Sequence, residues 1–224
     1  MTRQQEISLE NVAKTYAQTR VLKNISLTLP LGGQYVITGA SGSGKSTLLY
    51  LLGGIDRPTS GSIRVGQFHL NSANDEQLAN FRNQQVGFVF QFHFLLSSMT
   101  CWENILLPAQ IGGKVKDSLK KDLEHFAREL GVEHCLPKYP YQISGGEQQR
   151  VNMIRAISLR PKLVLCDEPT GNLDSKNSEK VISLLKELGH EVRSTLILVT
   201  HDKKVASTFH HELLMEDGEL KGAL

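Results

Sequence analysis

One segment rich in glycine and serine carries the clearest chemistry in this chain. It fits the pattern G-x-x-x-x-G-K-[ST] and runs Gly39-Ala40-Ser41-Gly42-Ser43-Gly44-Lys45-Ser46-Thr47. The glycines let the backbone turn so that its N–H groups point at phosphate oxygens. The ammonium of Lys45 can reach the β- and γ-phosphates of a nucleotide, and the Ser46 hydroxyl can ligate Mg²⁺. This phosphate loop (residues 39–47) predicts a nucleoside triphosphate site.

The residues on either side favour this interpretation over an ordinary Gly/Ser turn. An apolar, β-prone run at 35–37 precedes the loop, and a helix-forming run at 48–52 follows it. The helix would start at the loop, so the positive end of its dipole would add to the attraction for phosphate.

A second candidate is the acidic pair Asp167-Glu168, which follows four apolar residues at 163–166. A buried strand that ends in acid would place Asp167 beside the phosphate loop, where it could hold Mg²⁺, usually through water. Glu168 could orient or deprotonate an attacking water at the γ-phosphate. An apolar strand ending in two acids is common by itself, and the upstream phosphate loop is what makes the pair a catalytic candidate.

A third segment, residues 143–150, could be a helix start or a phosphate-binding site. Ser144 is followed three residues later by Glu147, which is the spacing of a capping box. The same hydroxyl, the N–H groups of Gly145 and Gly146 and the helix N-terminus could also hold phosphate. One site needs only one phosphate loop, so a second device predicts a head-to-tail dimer. Each nucleotide would lie between the loop of one subunit and this segment of the other.

Composition describes a globular chain without a nucleic-acid charge signature. The 224 residues include 25 Lys and Arg against 23 Asp and Glu, a net charge of +2. No segment approaches 18 apolar residues, and the first six residues lack the apolar core of a secretion signal. Three widely separated cysteines favour reduced thiols over a disulfide framework or a zinc site.

Hydrophobic patterning predicts an α/β fold. Strands alternate with helices, which implies a mostly parallel sheet with helices on both faces, and a mainly helical stretch runs from about 92 to 160. Gly131 and Gly189 are predicted to end two amphipathic helices, and Asp217-Gly218 to turn a hairpin near the C-terminus. The predicted strands are 7–12, 25–29, 35–38, 62–65, 86–90, 163–166 and 195–200.

The order of these segments resembles that of ATP-binding cassette (ABC) ATPases. Residues 143–147 resemble the family signature L-S-G-G-Q, with Ile for Leu and Glu for Gln. We expect both changes to preserve function, because the first conserves volume and the helix dipole favours the second. The resemblance implies ATP and Mg²⁺ as ligands, and a P-loop NTPase (RecA-like) core with an N-terminal antiparallel β subdomain and an inserted helical subdomain. It implies one domain, 1–224, with residues 1–91 and 161–224 as the core and 92–160 as the helical part.

Four further positions match the family residue by residue. Gln91 resembles the Q-loop glutamine, which ligates Mg²⁺ and senses a membrane partner. His201 resembles the switch histidine at the γ-phosphate, and Asp174 belongs to a segment, 171–174, that resembles the D-loop crossing the dimer. Tyr16 resembles the aromatic residue that stacks on adenine. Alone, each also fits a structural role: Gln91 ends a strand, Asp202 after His201 caps a helix, and Tyr16 packs.

The branch of the family stays open. Residues 91–96, 102–105 and 168–174 resemble the lipoprotein-releasing (LolD-type) ATPases, and similar strings occur in MacB-type efflux cassettes and FtsE-type division ATPases. The run 91–96, Gln-Phe-His-Phe-Leu-Leu, favours the first branch. All three imply a homodimer bound to integral membrane subunits, peripheral to the cytoplasmic face of a bacterial inner membrane. A soluble cassette acting on nucleic acid or ribosomes is disfavoured, because 224 residues leave no room for a second cassette or a long insertion.

Overall fold

The computed structural model describes residues 6–91, 94–171 and 175–221, with only the backbone at 175–177. The strands are β1 (Glu6–Tyr16), β2 (Thr19–Pro30), β3 (Gln34–Thr38), β4 (Ser60–Val65), β5 (Phe68–His69), β6 (Val86–Phe90), β7 (Leu163–Asp167), β8 (Thr195–Val199), β9 (His211–Glu216) and β10 (Glu219–Lys221). The helices are α1 (Lys45–Leu52), α2 (Asp75–Gln85), α3 (Cys101–Ile111), α4 (Asp117–Glu129), α5 (Gly145–Ile157), α6 (Ser175–Glu191) and α7 (Lys203–Ala206).

The first part of the chain forms an antiparallel sheet of four strands in the order β2-β1-β4-β5. Ile7 and Leu9 of β1 lie opposite Leu29 and Leu27 of β2, and the apolar residues of the sheet pack onto the core. The strand expectations for 7–12, 25–29 and 62–65 are confirmed, although β1 and β2 extend further than predicted.

The second sheet has six strands in the order β10-β9-β3-β8-β7-β6 and is parallel except for the β9–β10 hairpin. Every residue of β8 is buried, as are the first four of β7, which explains their continuous apolar sequences. Phe90, Asp167 and Val199 end three adjacent strands in register. The residues that follow these strands therefore meet at one edge of the sheet.

Two apolar layers cover the two faces of this sheet. Val36 and Val164 point into the layer formed with α5 and α6, whereas Ile37 and Leu165 point into the layer formed with α1, α2 and the antiparallel sheet. The expected α/β architecture, with helices on both faces and a separate antiparallel sheet, is confirmed.

Helices make up most of residues 101–157, which agrees with the expectation of a mainly helical stretch from about 92 to 160. Thr100 and Glu103 form a capping box that begins α3, and α3 packs on α5. Helix α4 buries Leu123, Phe126 and Ala127. It ends just before Gly131, whose φ of +65° is typical of the glycine that follows a helix, so the predicted helix end is confirmed. The division of the chain into core and helical subdomain at 92 and 160 stays a prediction.

Two local expectations need correction. α2 was not predicted, because its sequence is polar and only Leu78 and Phe81 are buried; a capping box between Asn74 and Gln77 begins it. Gly189 does not end α6, which continues to Glu191. The predicted turn at Asp217-Gly218 is confirmed, with positive φ at both residues.

Throughout residues 6–91, 94–171 and 175–221, no helix combines the length and apolar character needed to cross a membrane. The three cysteines are free and buried, and burial raises the pKa of the Cys166 thiol far above its usual value.

Gly189 and Gly53 allow a test of the packing. A Cβ at Gly189 would meet only Leu196 Cβ at 3.8 Å, whereas a Cβ at Gly53 would come within 2.1 Å of Phe88 Cζ. We expect Gly189→Ala to raise the free energy of unfolding by about 0.5–1 kcal/mol through helix propensity. Gly53→Ala should lower it by about 1–3 kcal/mol through overpacking. Urea denaturation followed by circular dichroism measures both, and a destabilised Gly189→Ala variant would contradict the helical geometry.

Candidate active site

The phosphate loop joins β3 to α1 and is held by its own backbone geometry. Gly39 has a φ of +145°, and a Cβ there would lie 2.1 Å from the Met215 carbonyl oxygen, so only glycine fits. The loop is also tied to the C-terminal hairpin, because the Gly218 N–H donates to the Ser43 carbonyl at 3.1 Å. The sequence therefore needs both its glycines and its tail to shape this loop.

Lys45 lies at the centre of the loop. It is buried, and its Nζ donates to the carbonyls of Gly39 at 3.0 Å and Ala40 at 2.8 Å. No carboxylate forms an ion pair with Lys45 among the described residues. The buried Ser43 Oγ has no hydrogen-bond partner in the described part of the chain. A positive charge and a spare hydroxyl in one small loop suit a phosphate group.

Asp167, at the end of β7, faces the start of α1. Its Oδ1 accepts from Ser46 Oγ at 2.8 Å, and its Oδ2 accepts from the Tyr50 hydroxyl at 3.0 Å. Burial and the adjacent Asp167 charge raise the pKa of Tyr50 to about 12, so the phenol stays a donor. The carboxylate and Ser46 hydroxyl offer oxygen ligands of the kind that Mg²⁺ prefers. Tyr50 was missed from the sequence, since a tyrosine within a helix carries no such signal.

Glu168 turns away from the strand direction with a φ of +48°. Its Oε1 lies 2.8 Å from His201 Nδ1, and its Oε2 accepts from the Thr200 hydroxyl at 3.3 Å. The carboxylate is therefore fixed by two residues that follow β8. Thr200 is a second site residue that sequence reasoning missed. Asp202 caps α7, which confirms the structural interpretation of that residue.

The phosphate loop, Glu168 and His201 line one open cavity of about 680 Å³. Gln91 reaches it from the end of β6, close to Gly171, where a Cβ would lie 2.7 Å from Gln91 Nε2. The structure thus brings the phosphate loop, Gln91, Glu168 and His201 together, as the sequence predicts. The lining residues are Val21, Ser41, Gly42, Gly44, Lys45, Ser46, Thr47, Gln91, Glu168 and His201.

The segment at 143–150 lies elsewhere. Ser144 caps α5, and its capping box with Glu147 is confirmed. Ser144 and Gly146 line a different cavity, which shares no residue with the one around the phosphate loop among the described residues. Within one chain, the two candidate phosphate-binding devices therefore do not meet in a single cavity.

Of the two remaining candidate residues, the structure describes Tyr16 but not Asp174. Tyr16 is 44% exposed at the end of β1, and its hydroxyl donates to Asp56 Oδ2 at 2.5 Å. Burial, followed by the hydrogen bond to Asp56, raises the pKa of Tyr16. Asp174, together with residues 92 and 93 of the run at 91–96, lies outside the described residues.

Residues 22–171 match the sequence pattern of the ABC transporter family. The chain belongs to that family. This cassette is an ATPase, and it resembles lipoprotein-releasing system ATP-binding proteins LolD over nearly its whole length. The LolD of Shewanella frigidimarina is 41% identical, covering 98% of this chain and 94% of the relative. The LolD of Geobacter metallireducens is 45% identical, covering 89% of each chain.

Two solved structures of the cassette MJ0796, described as a bacterial ABC transporter cassette, share this fold. One is dimeric, with a TM-score of 0.87 and 37% identity, and covers 96% of this chain and 97% of the other. The second is a dimeric post-hydrolysis state bound to ADP and Pi, with a TM-score of 0.85 and 35% identity over the same shares. A nucleotide-binding P-loop core is therefore the established fold of this chain.

The hydroxyl of Tyr50 should matter to magnesium rather than to folding. We expect Tyr50→Phe to raise the Mg²⁺ concentration that gives half-maximal ATP hydrolysis by roughly tenfold, because Asp167 loses the donor that orients it. Tyr35→Phe is the matched control, since it removes a buried hydroxyl that donates at 2.8 Å to the carbonyl of Pro30, the last residue of β2. Magnesium titrations of ATPase activity measure both. Equal shifts in the two variants would contradict the role of Tyr50.

Proposed function

We propose that Glu168 is the base that orients and deprotonates the water attacking the γ-phosphate of ATP. The observation that carries this proposal is the position of its carboxylate, fixed by His201 and Thr200 in the cavity that Lys45 lines. A base must stand within hydrogen-bond reach of its water, and a fixed carboxylate loses little freedom when the water binds. His201 holds Glu168 and reaches the γ-phosphate from the same side.

The other loop residues bind and neutralise the triphosphate. Lys45 exchanges its two carbonyl partners for β- and γ-phosphate oxygens, and residues 39–47 donate backbone N–H groups. Ser46, Asp167 and Gln91 would hold Mg²⁺, which supplies charge neutralisation of the phosphates when bound. Tyr16 offers its exposed ring to adenine. Positioning and electrostatics then carry the phosphoryl transfer to water.

Ser144 and the two glycines after it act on the nucleotide of a second copy of this chain. A Cβ on Gly145 would meet nothing within 4 Å, and one on Gly146 only Arg150 Nη1 at 3.7 Å. Neither residue has positive φ, so neither packing nor conformation within this chain requires glycine there. Glycine lowers helix stability, so its presence is explained by a close approach from outside. In the homodimer, ATP closes the two sites and hydrolysis reopens them.

A groove beside Gln91 supports docking of an integral membrane subunit. It has a volume of about 370 Å³ and lies between α2, β6, α3 and the end of α5. Its walls include Phe88, Phe90, Leu107 and Pro108, and Ile111 at its edge is 71% exposed. An apolar segment at the cytoplasmic end of a membrane protein would cover these side chains. Phe90 lines this groove, and the next residue, Gln91, lines the ATP site, so a partner docked in the groove would lie one residue away from that site.

The cargo pathway that fits best is release of lipoproteins from the inner membrane. The LolD relatives named above support it, as does the run at 91–96. The alternatives are a MacB-type efflux pump and an FtsE-type division complex. In each case the chain would be a peripheral subunit at the cytoplasmic face of the membrane.

Purification from mild detergent tests this assignment. The full chain, expressed in its native host with an affinity tag, should co-elute with an integral membrane protein whose extracytoplasmic domain binds acylated lipoprotein. A parallel purification of an Ile111→Glu variant should lose that partner, because a charge would enter the apolar groove. A co-eluting subunit that binds cell-wall enzymes or efflux substrates instead would contradict lipoprotein release.

Replacing the proposed base should separate binding from turnover. We expect Glu168→Gln to bind ATP with wild-type affinity and to hydrolyse it at least about 100-fold more slowly, because the amide cannot take a proton. Nucleotide binding by fluorescence and phosphate release measure the two steps. Hydrolysis at the wild-type rate would exclude Glu168 as the base.

A substitution at Gly146 tests whether the signature segment of a second copy contributes to the ATP site. We expect Gly146→Ala to leave the free energy of unfolding unchanged or to raise it by up to about 1 kcal/mol. The added methyl group would meet only Arg150 Nη1, at 3.7 Å, within this chain. The variant should nevertheless lose most of its ATPase activity and its ATP-dependent dimer. Gly189→Ala, also within a helix, is the control that should keep both. Full activity in Gly146→Ala would show that no phosphate approaches this helix end.

A further inference from the structure

His134 contacts Glu147, one of the two residues at which this chain departs from the family signature. It lies in a short 3-10 helix, Glu133–Cys135, and its Nε2 is 2.8 Å from Glu147 Oε1. The other oxygen of Glu147, Oε2, accepts from the Ser144 N–H at 2.8 Å and from the Ser144 hydroxyl at 2.6 Å. Glu147 thus divides its two oxygens between His134 and the serine that we assign to the second copy's nucleotide.

The carboxylate creates an electrostatic problem at this position. The Ser144 hydroxyl and N–H, followed by His134, lower the pKa of Glu147 to about 2, so it is an anion at neutral pH. An incoming triphosphate carries like charge, and repulsion across a few ångströms weakens binding. Glu147 also competes with that phosphate for the single hydroxyl proton of Ser144.

Basic side chains near the N-terminus of α5 divide into two sets. Arg150 and Lys180 line the cavity that Ser144 and Gly146 share, so they face the open side where a nucleotide would approach. His134 contacts the Glu147 carboxylate directly, with 2.8 Å between Nε2 and Oε1, and because an ionised carboxylate can only accept, the imidazole is the donor. Among the described residues, His134 is therefore the basic side chain placed to satisfy the carboxylate itself.

We propose that His134 is a positioning residue for ATP-driven dimerisation. It holds Glu147 by donating a hydrogen bond to its carboxylate, so that the Ser144 hydroxyl can turn from Glu147 to the γ-phosphate bound by the second copy. The inference rests on the proposed function, because it needs a dimer with the signature segment facing ATP. It assigns to His134 the compensation that the family's neutral glutamine at this position does not require.

The surroundings separate this role from a purely structural one. The His134 side chain is 56% exposed, whereas the next residue, Cys135, is fully buried and anchors the segment in the helical core. Removing the imidazole ends its 3.4 Å contact with Cys135 Sγ but leaves the buried Cys135 side chain in the core. His125 and Glu129 on α4 form a similarly exposed pair, with 3.7 Å between Nε2 and Oε1, and provide a matched control.

A double-mutant cycle between His134 and Glu147 tests the proposal. In the Glu168→Gln chain with MgATP, analytical ultracentrifugation measures the dimer dissociation constant. We expect His134→Ala to raise that constant about 3- to 10-fold, since each dimer contains two such sites. In a chain that also carries Glu147→Gln, the same change should alter it less than about twofold. His125→Ala should leave it unchanged.

Steady-state hydrolysis in the chain with Glu168 intact gives a second readout. His134→Ala should raise KM for ATP by a similar factor and change kcat by less than about twofold, with an unaltered thermal midpoint. An equal effect of His134→Ala in chains with and without Glu147→Gln would overturn this inference, as would no effect in either background. A monomeric Glu168→Gln reference with ATP would instead overturn the proposed dimer, so the two failures are distinguishable.

Discussion

Parallel hydrogen bonding between buried strands is the constraint on which the site depends. β3, β8, β7 and β6 run in the same direction, and Ile37, Val199, Asp167 and Phe90 lie beside one another in register. Each connection that leaves this edge of the sheet therefore starts about 4.8 Å from the connection that leaves the neighbouring strand. The phosphate loop, the acidic pair, the glutamine and the histidine come from four separate parts of the sequence. They meet because the strands cannot slip without exposing their apolar residues.

The electrostatic state of the loop follows from that geometry. Lys45 is buried and is satisfied by two backbone carbonyls rather than by a carboxylate, so its full charge remains available to a ligand. Hydrogen bonds to carbonyls can be exchanged at small net cost, whereas breaking a buried ion pair costs several kcal/mol. Asp167 and Glu168 are held by hydroxyls and an imidazole, and within the described part of the chain neither forms an ion pair with Lys45. The ammonium and the carboxylates of the site are therefore not paired with one another.

Much of this arrangement could be predicted from the sequence, because the signals are local. The phosphate loop, the buried strands and the capping box at Ser144 each depend on residues within about ten positions of one another. Helix α2 was not predicted, because it buries only two side chains and its capping box lies in a polar stretch, so the sequence shows no helical pattern of apolar residues. Gly189 looked like a helix end, but α6 continues through it to Glu191. Tyr50 and His134 could not be found, because their partners are defined only by the folded chain.

The tie between the phosphate loop and the C-terminal hairpin affects how the protein is made. Gly218 donates to the Ser43 carbonyl and accepts from the Lys23 N–H at 2.8 Å, so the β9–β10 turn braces the phosphate loop. A growing polypeptide on the ribosome holds residues 39–47 long before it reaches residue 218. Until residue 218 has been added and folded, the loop of a nascent chain lacks this brace. The geometry of the phosphate loop therefore depends on a contact between distant parts of the sequence.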